Sequence, residues 1–86
     1  MTVNDIRNLS KKENHLHYRN EYAGSLVFTA GNVLHEAALE FTLERDAMGK
    51  VDISVSFPQS IHYPLVPAIR KVREYIMDLD KRGKLI

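Results

Sequence analysis

Four histidines are the residues whose type first suggests chemistry in this chain. His15 and His17 stand two apart in "NHLHYRNEY", so a strand would point both imidazoles to the same side, as in a metal site. Zinc, however, needs a third protein ligand and usually a fourth group. His35 and His62 are predicted at loops or strand ends, and their spacing does not bring them to the first pair. We therefore expect no metal, no cofactor and no catalytic histidine.

The carboxylates form a second group with regular spacing. Glu36, Glu40 and Glu44, followed by Asp52, fall on the polar side of two segments in which apolar and polar residues alternate. A flat, solvated row of this kind does not exclude water or isolate an acid from a base, as general acid–base catalysis requires. The row predicts a solvated outer sheet face that repels nucleic acid. The chain is not expected to be an enzyme.

Cations gather towards the C-terminus. Arg70, Lys71 and Arg73 fall in the first turns of a predicted helix, where the positive end of the helix macrodipole disfavours them. The same basic side is extended by Lys81, Arg82 and Lys84. The pattern is typical of a solvated helix face. It also fits a patch for an acidic partner, which would be a protein, a phosphate or a nucleic acid.

The segment "FPQSIHYPLVP" connects the last predicted strand to the helix. Its apolar side chains, with the tyrosines elsewhere in the chain, either form an exposed patch of the kind common at interfaces or plug one end of the core. The residues concerned are Ile61, Tyr63, Leu65, Val66, Tyr18, Tyr22 and Tyr75.

A second candidate interface lies at the start of the predicted sheet. Tyr18, Arg19 and Tyr22 are expected at a sheet edge, beside a basic N-terminal segment. Together with the connector and the helix, this gives one set of candidate interface residues. They are Tyr18, Arg19, Tyr22, Ile61, Tyr63, Val66, Arg70, Lys71 and Arg73.

The clearest structural unit is a predicted β-hairpin. In "HEAALEFTLERD" and "KVDISVSFP" apolar residues alternate with polar ones, so each segment has one face for a core and one for water. "DAMG" between them suits a tight turn, because Gly49 tolerates positive φ. Residues 33–45 are also rich in helix formers. A helix there would have no clean apolar stripe and would align three glutamates at i, i+4 spacing, so a strand is favoured.

Further segments extend this unit on both sides. "YAGSLVFTAGN" predicts another strand, and "HLHYRNEY" a further strand or an extension of it. Residues 64–83 predict a helix with one buried stripe, and Leu85 after it can fold back onto the core. The stripe comprises Leu65, Ile69, Val72, Ile76 and Leu79. Residues 1–14, with apolar side chains three apart, predict a short helix or a flexible arm.

Length and composition fit one small domain, residues 1–86. The 86 residues are 44% hydrophobic and 27% charged, and the net charge of +1 conceals an acidic middle between basic ends. With antiparallel strands in residues 15–58, the predicted fold is a two-layer α+β domain. Three or four antiparallel strands would pack on one long C-terminal helix. The chain has no cysteine and no apolar segment long enough for a membrane, so a cytoplasmic protein is expected.

Three functions remain open at this point. The first is a small non-enzymatic protein-interaction module, with a protein partner or self-association into a homodimer. The second is a nucleic-acid-binding domain that uses the basic helix and the N-terminal arm. The third, least favoured, is an enzyme or metal protein built on the histidines.

Overall fold

The computed structural model describes residues 1–13 and 16–86. Four antiparallel strands form one sheet in the order β1-β2-β3-β4, and a C-terminal helix covers one face, here called the inner face. The predicted α+β fold is confirmed, with four strands. The elements are β1 (Thr2–Lys11), β2 (Arg19–Ala30), β3 (Val33–Arg45), β4 (Val51–Ser56) and α1 (Leu65–Lys81).

The centre of the sheet is the long hairpin of β2 and β3. Its two-residue turn consists of Gly31 and Asn32, which both have positive φ, 58° and 62°. Such turns match the twist of antiparallel strands, and Gly and Asn adopt this conformation at least cost. Residues 33–45 form a strand as predicted, because alternation puts Leu39, Phe41 and Leu43 on the inner face, where all three are buried.

The hairpin of β3 and β4 is also confirmed. One carboxylate oxygen of Asp46 accepts hydrogen bonds from the backbone N–H of Met48 at 2.9 Å and of Lys50 at 2.8 Å. Gly49 takes a φ of 82°, as the sequence pattern predicts. A single aspartate thus satisfies the backbone of the turn.

The N-terminal segment is an edge strand, so the prediction of a short helix or flexible arm is wrong. Its register against β2 shifts twice, between Val3 and Asp5 and between Arg7 and Ser10. A β-bulge adds one residue to one strand, so an inward-facing period of two becomes a period of three at each bulge. Val3, Ile6 and Leu9 therefore all pack against the core although they are three apart. The spacing that imitated a helix comes from two bulges.

The helix closes the core from one side. Ala68, Val72 and Ile76, four residues apart, are fully buried, whereas Leu65 of the predicted stripe lies outside the buried face. The helix backbone comes nearest to β4 and β1, the two edge strands, so the sheet curves around it. Leu85 packs back onto the core, as its position in the sequence suggests.

Polar contacts fix the helix against the sheet at two places. Arg73 donates from Nε to the carbonyl oxygen of Ile53 on β4 at 3.1 Å. The guanidinium of Arg45, the last residue of β3, pairs with the carboxylate of Asp80 near the end of the helix. The helix is thereby tied to the two strands on which its C-terminal half lies.

Gly24 marks the closest approach between β1 and β2. A Cβ atom at this position would lie 3.0 Å from the carbonyl oxygen of Arg7 and 3.2 Å from Cγ2 of Ile6. Gly24→Ala should therefore lower the free energy of unfolding by roughly 1–3 kcal/mol, because the bulged segment of β1 must shift. Chemical denaturation measures this. Ser25→Ala, on the opposite face, is the control; an equal loss in both variants would contradict the steric explanation.

Candidate interaction surfaces

The histidines do not gather in one place. His15 lies outside the described residues, and His17 is exposed in the turn before β2. His35 stacks on Phe28 with ring centroids 5.0 Å apart, and His62 is exposed in the connector. Within residues 1–13 and 16–86 no three His, Asp or Glu side chains are placed to hold a metal ion.

The outer face of the sheet carries the predicted acidic row, and two arginines bridge across it. Arg19 contacts Glu44 on β3 at 2.6 Å and Glu21 on its own strand at 3.4 Å. Arg7 on β1 contacts Asp5 at 3.7 Å and Glu36 at 4.0 Å. These pairs are exposed and each contributes little to stability. Arg19, a candidate interface residue, is thus engaged within the sheet face.

One apolar residue lies beneath this charged layer. Val27 is buried although it faces outwards on β2. Its directly opposite neighbours are Asp5 on β1 and Glu36 on β3, and Arg7 contacts both of these carboxylates. The long charged side chains therefore cover Val27 and keep the outer face polar.

The cations of the helix differ in their surroundings. Arg73 is held by the Ile53 carbonyl, and Arg82 pairs with Asp78 at 2.9 Å. Arg70 and Lys71 are exposed. Among the described residues neither has a carboxylate oxygen within 4.0 Å, the distance that defines an ion pair. The first turns of the helix thus carry unneutralised positive charge, and no acidic residue lies in the first turn.

The tyrosines expected in one patch lie apart. Tyr22 is in the core, where its ring stacks on Phe41 with centroids 4.8 Å apart. Tyr18 is exposed beside the end of β3, where its carbonyl accepts a hydrogen bond from the N–H of Arg45. Tyr75 is partly buried on the helix. The stretch from Tyr18 to Tyr22 opens β2, which is an interior strand, so the prediction that it forms a sheet edge is wrong.

The connector both plugs the core and leaves apolar groups exposed. The ring of Tyr63 meets Phe28 edge to face, with centroids 6.4 Å apart, and its hydroxyl accepts a hydrogen bond from the amino group of Met1 at 3.3 Å. Ile61 is partly buried. Val66, in the first turn of the helix, remains largely exposed. The connector therefore closes the end of the core beside the β2–β3 turn.

One end of the molecule combines exposure with the absence of charge. Residues 28–35, around the β2–β3 turn, contain His35 but no Asp, Glu, Lys or Arg, and the same is true of residues 57–69, with His62, in the connector and first helical turn. The Phe28–Tyr63 contact brings these two segments together, and we call them the uncharged end. Its exposed side chains are Val33 (54%), Leu34 (64%), Leu65 (54%) and Val66 (68%).

Sequence patterns predict only half of this surface. The connector makes Val66 a candidate interface residue, whereas Val33 and Leu34 fit an ordinary strand. The available signal is the run of residues without Asp, Glu, Lys or Arg on both sides of the Gly31–Asn32 turn. Leu34 faces outwards beside the acidic row, where an apolar side chain breaks the alternation.

The fold and its surfaces define the class of the protein, a small two-layer α+β domain in which one helix covers a four-stranded antiparallel meander. The profile of the BB_0187 family matches residues 1–81, so the chain belongs to that family. No curated protein and no solved structure matches the chain. The helix found in the described part of the chain falls short of the length and apolarity needed to cross a bilayer.

The opposite end is anchored by Tyr22. Its hydroxyl donates a hydrogen bond of 2.8 Å to the main-chain oxygen of Ile86. Burial raises the pKa of this phenol above its ordinary value of 10.0; the negative charge of Asp80 raises it further, and Arg45 opposes the shift. Because the folded chain holds the phenolic proton more tightly than the unfolded chain, stability is lost as the pH rises above the ordinary value.

Replacing this phenol should show both effects. Tyr22→Phe should lower the free energy of unfolding by about 1 kcal/mol at neutral pH, because the Ile86 oxygen loses its partner. The difference between the two proteins should shrink between about pH 9 and about pH 11, since only the wild type loses stability through this phenol. Urea denaturation at several pH values measures it, with Tyr18→Phe as the exposed control. A constant difference across this range would contradict the assigned cause.

Proposed function

We propose that this chain is a non-enzymatic protein-interaction module that binds its partner through the uncharged end. The observation that supports this is the grouping of four exposed apolar side chains on a surface without Asp, Glu, Lys or Arg. Monomeric proteins rarely expose such groups together unless a partner covers them. The arrangement has the composition of an interface core, in which charged residues are depleted.

The energetics favour association at this place. Each of these side chains is already partly covered, so complete burial would contribute roughly 1 kcal/mol per residue. Charged residues begin only outside the uncharged end, at Glu36 on β3 and Arg70 on the helix. They would form the polar rim that surrounds an interface core. We place the module in the cytoplasm, in keeping with a chain that has no cysteine.

Capture from a lysate of the source cell tests this proposal. The bait proteins are the wild type, the double variant Leu34→Asp with Val66→Asp, and Met48→Asp. Met48 is 92% exposed at the tip of the β3–β4 turn, so the last variant adds a carboxylate far from the uncharged end. All three should fold, because exposed substitutions usually change stability by about 0.5 kcal/mol or less.

We expect the wild type and Met48→Asp to retain the same proteins and the double variant to lose them, as quantified by mass spectrometry. Circular dichroism confirms that each bait is folded. If all three baits retained the same proteins, or if none retained any, the uncharged end would not be the binding surface.

Nucleic-acid binding is a second candidate, and the cations at the opposite end favour it. Lys11 pairs with Tyr22 across the sheet, and the Tyr22 hydroxyl reaches Ile86, so the end of β1 lies near the residues after the helix. Lys81 and Lys84 are exposed there. The N-terminal contribution comes from the end of a strand, not from the arm expected from the sequence. Phosphates would be neutralised by several such cations at once.

A gel-shift titration of a single-stranded and a double-stranded oligonucleotide tests this candidate. Lys81→Glu combined with Lys84→Glu should weaken binding and reduce the salt-dependence slope by about two, because two phosphate contacts are lost. Arg70→Glu, at the other end of the helix, is the matched control. Absence of a shift for the wild type at low salt would eliminate this function.

A further inference from the structure

We propose that the partner at the uncharged end is a second copy of this chain, related to the first by a two-fold axis. This inference rests on the proposed use of the uncharged end and adds the identity of the occupant. Its basis is the charge around that end, which has opposite sign on the two sides of the molecule.

The sheet side of the uncharged end borders a carboxylate, and the helix side borders a cation. Leu34 and Glu36 face outwards on β3, two residues apart, and both are exposed. Val66 precedes Arg70 by about one turn of the helix. Glu36 contacts Arg7 only at 4.0 Å and through exposed side chains, which is a weak interaction. Both rim charges are therefore available to a partner.

Two end-to-end arrangements have a two-fold axis. In one, the sheet side of each copy meets the sheet side of the other, which places Glu36 against Glu36 and Arg70 against Arg70. In the other, each sheet side meets the partner's helix side, which places each Glu36 opposite an Arg70. Like charges oppose the first arrangement and opposite charges favour the second. The uncharged end is thus complementary to itself, as a symmetric interface requires.

Other contacts between two copies are less favourable. At the edge of β4, the carbonyl oxygen of Ile53 already accepts a hydrogen bond from Arg73. The edge of β1 is interrupted by two bulges, which discourage strand addition. The acidic sheet face and the basic helix face lie on opposite sides of the molecule. Pairing them would be heterologous and would extend into an open chain of copies.

The size of the uncharged end sets the expected strength. The molecule measures 41 × 22 × 21 Å, and its end presents only the smaller cross-section. Such an area belongs to the low end of specific interfaces, where complexes are reversible. The dimer should therefore form and dissociate with concentration, with a dissociation constant on the order of micromolar.

Sedimentation equilibrium of the whole chain, from about 1 μM to about 500 μM, measures the association. Four variants are compared with the wild type: Glu36→Lys, Arg70→Glu, the two changes combined, and Val66→Asp. The control pair is Asp52→Lys and Lys81→Glu, which make comparable charge changes away from the uncharged end. Circular dichroism and thermal melts show that each variant is folded.

We expect the wild type to dimerise and Glu36→Lys, Arg70→Glu and Val66→Asp each to raise the dissociation constant about tenfold or more. The control variants should dimerise like the wild type. The combined variant should recover, because the two charges are exchanged. An equimolar mixture of Glu36→Lys and Arg70→Glu should form heterodimers, since each copy supplies the charge that the other needs.

Several results would overturn the inference. A monomeric wild type at the highest concentration would do so, as would a dimer that ignores Val66→Asp, or charge variants that neither weaken nor restore it. If the wild type stays monomeric but captures another protein in a manner that depends on Leu34 and Val66, the second copy is excluded and the proposed function stands. If it neither self-associates nor captures a protein, both fail.

Discussion

The structure depends on one constraint, which is that a single helix must cover the apolar face of a four-stranded sheet. Val72 and Ile76 provide the centre of the helical side, and Leu26, Leu39 and Phe41 provide the centre of the sheet side. The sheet satisfies the constraint by curving until both edge strands approach the helix. The bulges of β1 belong to this solution, because they keep apolar side chains directed inwards while the edge strand bends. The close approach at Gly24 follows from the same bending.

Covering the core in this way decides where charge can lie. The outer face of the sheet has no covering layer, so it carries carboxylates bridged by arginines and remains polar even above the buried Val27. The exposed face of the helix carries cations, some of them used to fix it to the sheet. At the β2–β3 turn neither layer continues, and the apolar side chains of the turn and of the first helical turn are left in water.

This distribution makes the two ends of the molecule chemically different. One end is uncharged and apolar, and the other carries lysines beside an anchored C-terminal segment. A domain of this size buries little surface, so association through an apolar end also offers stability that the isolated core lacks. The same distribution explains why the sheet face, which is wide and polar, is the less favourable place for a macromolecular partner. The family match covers residues 1–81, so it includes all four strands, the connector and the helix on which these features depend.

The sequence by itself determined the elements whose apolar pattern is regular. Alternation in residues 36–57 and the stripe around Val72 and Ile76 identified the hairpin, the helix and the two-layer arrangement, because burial of one face imposes these periods. It misjudged residues 1–14, since bulges change the period of a strand and arise from the curvature of the whole sheet. It also placed Tyr22 on the surface, because a tyrosine looks the same in a sequence whether or not another part of the chain covers it. Only the tertiary structure brought Val33 and Leu34 to the same end of the molecule as Leu65 and Val66, since these residues are some thirty positions apart and meet only when the helix lies across the sheet.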